Sequence, residues 1–171
     1  MNIRTAAFAA ALIVSAGAST ALGQAFSDKD KAFLKDSTED SLAEIKTAEM
    51  TLRTTKNPAL KTFAQQMITD HKALIAGTRP VAMKAGVTLP TTPGAKADAE
   101  YLKLKVLTGE TYDKSYVKSA DSDHHEDLTK VKQENAETTN PDMKKLTSHA
   151  GNVIAKHTQM LDALNAKMGG S

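Results

Sequence analysis

The chain has 171 residues, a formal net charge of +2 and no cysteine, so no disulfide framework and no thiolate chemistry can operate in it. Its 22 basic and 20 acidic residues are interspersed, which leaves no electrostatic footprint for nucleic acid or anionic lipid. Aromatic residues make up 4% and Trp is absent, arguing against a stacking platform for ligands. No phosphate-cradling or dinucleotide glycine loop and no Ser–His–Asp signature occurs.

The first residues read as an export signal. Arg4 supplies a short positive region, and an Ala-rich apolar stretch runs from Ala6 to about Ala18, too short for a permanent membrane span. Ala21 and Gly23 sit at the −3 and −1 positions of a cleavage site before Gln24, and Gly23 and Ala25 offer a second one before Phe26. The expectation is a signal peptide over 1–23, cut after residue 23 or 25, and a single mature domain over 26–168. No cysteine follows the apolar stretch, so no lipoprotein anchor is expected. The mature chain is then soluble, without an integral membrane segment, and resident in the periplasm.

Helical periodicity dominates the rest of the chain. A first helix is predicted from about Asp28 to Thr55, with Leu34, Ser41, Leu42, Ile45, Ala48 and Leu52 on one face. Asn57-Pro58 ends it and starts the second, whose stripe runs through Leu60, Phe63, Met67, Leu74, Thr78 and Val81 to Gly86. Pro80 lies inside this stripe and predicts a kink or an early end. A polar, Pro-rich connection over 87–94 leads to a short helix from about Lys96 to Leu107. A third long helix spans about Glu110 to Thr138 and faces Tyr116, Val117, Ala120, Leu128 and Val131 inward. Asn140-Pro141 repeats the earlier punctuation, and a fourth long helix runs to about Lys167. Two tight hairpins predict an all-α, antiparallel four-helix bundle with one long crossover containing a short helix.

Three histidines fall on the apolar faces of this arrangement. At about 100° per residue, His71 lies between Met67, Leu74 and Thr78, and His124 stacks over Ala120 and Val117. His157 sits among Val153, Met160 and Leu161. At 1.5 Å per residue, His71 is roughly 20 Å from the Asn57 turn, and His124 and His157 are roughly 23 to 25 Å from the Asn140 turn. All three therefore reach the middle layer of helices roughly 40 Å long. Glu44, roughly 18 to 20 Å before the first turn, reaches that layer from the flank of its helix, whereas the better-centred Glu49 lies nearer the end.

Buried imidazoles and a buried carboxylate need partners, and sharing a transition metal or a proton network supplies them. The plainer alternative pairs each histidine with a nearby hydroxyl, for which Ser41, Thr78 and Tyr116 are available. Zinc, iron, copper or nickel would each suit three imidazoles and a carboxylate. Buried and neutral, the histidines would have pKa values below the usual 6.5 or so. His149 falls at the edge of its arc and His125 on the polar side. The run Asp123-His124-His125-Glu126-Asp127 resembles a metal cluster by composition, but neighbours along a helix point to different faces, so a solvated surface is the expectation. Asp70 and Asp123 could orient an imidazole only on a neighbouring helix. Met67, Met143, Met160 and Met168 read as core filling.

The stretch from Phe63 through Met67 to Asp70-His71 resembles the "FAxxMvxDH" motif of a secreted ferritin-like group, domain-of-unknown-function family 4142. Leu42-Ala43-Glu44-Ile45, Val87-Thr88-Leu89-Pro90, Thr108-Gly109 with Tyr112-Asp113 and Tyr116, and the spacing to His124 and His157 add to the likeness, which covers the whole mature chain. The resemblance implies a ferritin-like bundle and supplies no activity. Gly151-Asn152 stands where the family usually has Leu-Pro. Di-iron ferritins carry Glu-x-x-His on two helices. Here Ile68 and Ile154 precede His71 and His157 by three, and only Asp121-x-x-His124 comes close, which favours a mononuclear His-rich site with Glu44 as fourth ligand, or no metal. Two other classes remain open: a metal-free envelope protein acting through contact with a protein partner, and a ferritin-like oxidoreductase.

Overall fold

The computed structural model describes residues 24–168, with 95–98 as backbone only; the predicted signal peptide lies outside the described residues. The described residues are all-helical: α1 (Asp28–Thr54), α2 (Pro58–Ala85), α3 (Ala95–Lys105), α4 (Gly109–Glu137) and α5 (Pro141–Lys167). No strand occurs among them, and none of their helices is long and apolar enough to cross a membrane.

The helix ends are built by local chemistry. Ser27 opens α1 with a capping box: its hydroxyl accepts from the Asp30 amide at 3.0 Å while its own amide donates to the Asp30 carboxylate at 2.7 Å. Asn57 accepts from the amides of Ala59 and Leu60, and Asn140 from those of Asp142 and Met143, each just ahead of a proline at the first helical position. Thr55 and Thr138 accept from the amides of these two asparagines, so the two hairpin turns share one construction. Gly86 ends α2 at φ 67°, a left-handed cap that favours glycine.

The early end offered as one outcome at Pro80 does not occur: α2 runs through it to Ala85. Pro80 and Ala76, whose carbonyl loses its amide partner, both lie on the exposed side of the helix, away from the core. Helix α5 likewise passes through Gly151 without interruption. Helix α1 packs chiefly on α2 and α4 on α5; looser contacts of α2 with α5 and α1 with α4 close the ring, and α3 touches α1 and α4. Apolar clusters occur towards both ends, a large one and a small one. One cluster includes Leu60, Phe63, Met67, Tyr112, Tyr116 and Leu161. A smaller one gathers Leu34, Ala82 and Met143. The three histidines lie between the two.

Candidate metal centre

His71 on α2, His124 on α4 and His157 on α5 are buried to 2%, 1% and 0% exposure. One nitrogen from each lies within 4.8 Å of the others, and the ring centroids are 5.3 to 5.8 Å apart. From α1, Glu44 brings Oε2 to 2.8 Å from His71 Nε2 and Oε1 to 3.1 Å from His124 Nδ1. All four residues singled out by angle and depth therefore meet in one layer. Glu49 does not join them; it makes a long contact of 3.9 Å with Lys72 at the surface. His125 is exposed, as its angle predicts, and His149, at the edge of its arc, is exposed as well.

Acceptor-only partners fix two of the rings. His124 Nδ1 lies 2.8 Å from the Ala120 carbonyl and must donate to it, which leaves Nε2 of the neutral ring as a bare lone pair. His157 Nε2 lies 2.9 Å from the Asp70 carboxylate and must donate likewise, which bares Nδ1. Those two bare nitrogens face each other at 3.3 Å. Between two neutral rings no proton joins them. Nitrogens held about 2.0–2.1 Å from a tetrahedral metal stand roughly 3.3–3.4 Å apart, so the pair has the spacing of two ligands sharing one cation. Asp70 orients an imidazole on another helix, as its position predicts, and Gln66 holds its carboxylate at 2.8 Å.

The third ring is different. His71 Nδ1 is 3.3 Å from the Ser41 hydroxyl. Its Nε2 is in ion-pair contact with Glu44, yet neither Nε2 nor either Glu44 oxygen makes a hydrogen bond of acceptable direction. The contact is electrostatic, and three buried polar atoms lack their directional partner. Such atoms are rare in a well-made interior unless something else is meant to satisfy them.

Charge follows the same division. Burial pushes His124 down, and burial pushes His157 down to about 4 despite the Asp70 bond. Burial also opposes a charge on His71, but the Glu44 carboxylate outweighs it and raises the ring above its ordinary value. The expectation of three neutral imidazoles thus holds for two and fails at His71, because Glu44 lies against that ring's free nitrogen. Burial opposes a charge on Glu44 as well, but the adjoining His124 and His71 rings, charged in strong acid, hold its carboxyl down at about 2. The consistent state is one His71–Glu44 ion pair beside two neutral rings.

Three neighbours escape a reading of the sequence alone. Asp127, expected on a solvated face, has a side chain only 16% exposed, and burial with the nearby Glu44 and Asp40 charges raises it to about 7. It follows His124 by three residues and so shares its face, which is the one signal the sequence offers. Asp40, four residues before Glu44, is raised by burial, and Lys130 reaches both acids at 3.6 and 3.2 Å. On the other side Phe63 stands edge-on to His157 at 6.3 Å and to Tyr116 at 6.4 Å, forming a dry wall.

Residues 15–164 match the domain of unknown function DUF4142, and the chain belongs to that family. No curated protein and no solved structure matches the chain.

Proposed function

We propose that this DUF4142 member is an exported, periplasmic ferritin-like four-helix bundle that binds one transition-metal ion through His71, His124 and His157, with Glu44 as the fourth ligand. The observation that carries the reading is the pair of bare nitrogens, His124 Nε2 and His157 Nδ1, facing each other at 3.3 Å in a fully buried layer. With both rings neutral no proton bridges that contact, and a bound metal ion would. The unpaired His71 Nε2 belongs to the third ring of that layer and lies 2.8 Å from a Glu44 oxygen that is likewise without a hydrogen bond.

Three imidazoles and a carboxylate give a borderline donor set with no thiolate, suited to zinc, copper, nickel or iron. Asp70 and the Ala120 carbonyl hold two rings in the tautomers that coordination needs. The Glu44 charge offsets part of the cation's own. Metal arrival expels the His71 proton, so affinity falls as pH drops.

Protein produced without a histidine tag should carry about one equivalent of metal per chain, and His71→Ala should lose it. Added metal at about a hundred times its dissociation constant should stabilise the wild-type fold by about 2.7 kcal/mol. No stoichiometric metal, together with an unmoved melting temperature on adding each of the four ions, would sink the proposal.

A further inference from the structure

On the Asn140 side of the histidine layer a cavity of about 460 Å³ runs among the four long helices and reaches His71 and Glu44. At about 30 Å³ per water it has room for on the order of ten waters, far more than a bare ion needs. A second hollow, of about 440 Å³, lies between α1 and α4 beneath α3. Glu39, Asp40, Glu44, Asp127 and Lys130 border both. The α1–α4 seam, one of the looser contacts in the ring, is therefore flanked by hollow space and lined with carboxylates from the surface down to Glu44.

Carboxylates alone would signify little, but a second feature points to a ligand. The His71 side chain is only 3% exposed, borders the larger cavity and presents an Nε2 that no hydrogen bond satisfies. The chain as a whole is positive, so a cation gains nothing from the protein's net field. Any attraction must be local. Lys130 occupies the seam: its ammonium lies 3.2 Å from Asp127, 3.6 Å from Asp40 and 3.0 Å from Glu126, on a side chain that is 47% exposed. It can swing into solvent, leaving the acids to another cation.

We propose that the α1–α4 seam is the route by which a divalent transition-metal ion reaches the histidine centre, with Asp40 and Asp127 as relay carboxylates and Lys130 as the resident cation that the arriving ion displaces. The proposal rests on the metal-binding reading of the histidine layer. It assigns the seam a role in the rate of loading and none in the final occupancy.

Stopped-flow uptake of Co(II) by the metal-free full-length mature protein tests it, read by the visible absorption of the bound ion. Asp40→Asn combined with Asp127→Asn should slow uptake about tenfold, flatten its dependence on salt and leave the final stoichiometry unchanged. Lys130→Met should speed uptake. Should the double variant fail to fold, as judged by circular dichroism, the Lys130→Met arm decides. Uptake at the wild-type rate in the folded variants would overturn the route while leaving the metal centre intact. A wild-type protein that takes up no cobalt, zinc, copper, nickel or iron would overturn both.

Discussion

The histidine layer separates two unlike halves of the interior. Towards the Asn57 turn, Leu60, Phe63, Tyr112, Tyr116, Val117 and Leu161 pack almost without exposure, with Tyr112 and Tyr116 stacked at 6.4 Å and Thr51 bonded to the Tyr112 hydroxyl at 2.7 Å. Towards the Asn140 turn the core is polar and partly hollow. Thr38, Thr78 and Thr147 are buried there, each donating to the carbonyl four residues back on its own helix. That local bond satisfies a buried hydroxyl within its own helix, and Thr147 also accepts from Asn135 on α4 at 2.7 Å. Close to the end, Asp30 and Glu134 lie buried together. One half supplies cohesion and excludes water from one side of the histidines. The other gives up packing and leaves room beside His71 and Glu44.

Truncation should expose the difference most strongly. Phe63→Ala in the packed half should cost about 3–5 kcal/mol by urea denaturation. Leu74→Ala, whose side chain already borders the cavity, should cost only about 2 kcal/mol, because less packing is lost. Equal costs would mean that the hollow half is filled.

The layer itself should respond to acid. The His157 pKa is depressed in the fold, so the unfolded chain takes up its proton first and stability falls as pH drops from about 6.5 towards about 4. His71 has the opposite sign: its ion pair stabilises below the unfolded value, and that contribution fades as pH rises through its raised folded value. In chelator, the wild-type protein should lose on the order of 2–3 kcal/mol across the lower window relative to His157→Gln. Parallel curves would show His157 to be solvated or already charged.

A smaller effect of the opposite sense belongs to the polar half. Burial and the neighbouring Asp30 raise Glu134 to about 7, so the folded chain binds that proton more tightly than the unfolded one. Its contribution is present below the ordinary carboxylate range and is lost as pH rises through about 7. Glu134→Gln, which keeps a donor for Asp30, should therefore stabilise the protein at pH 8 by on the order of 1 kcal/mol and change little at pH 4. A melting-temperature series over that range decides it. Least of all, Gly77→Ala should add about 0.5–1 kcal/mol, since an added methyl meets nothing within 4 Å on an exposed helix interior.

Much of this division is legible in the sequence, and the reasons differ by residue. The helices, their Asn-Pro turns and the depth of His71, His124, His157 and Glu44 follow from periodicity and rise alone, because turns at fixed positions set the register. The charge on His71 does not follow. It depends on which nitrogen Glu44 meets, a matter of a few tenths of an ångström across two helices. Asp127 is hidden by its neighbours: five consecutive polar residues read as surface until the rotation of each is taken separately. The cavity is least visible of all. Thr38, Thr78 and Thr147 sit at core positions where a period count sees only a continuing stripe, and the volume left unfilled depends on how four helices meet.

One buried cation would explain the spacing of the rings, the unpaired atoms and the hollow beside them. A crystal of the metal-loaded protein, with anomalous data collected across the absorption edge of the bound ion, tests it most directly. The expected result is a single strong peak within bonding distance of His71, His124 and His157, with a Glu44 oxygen completing the shell. A map with no peak in that layer, or with density only at the surface group of Asp121, His125 and Asp162, would contradict it.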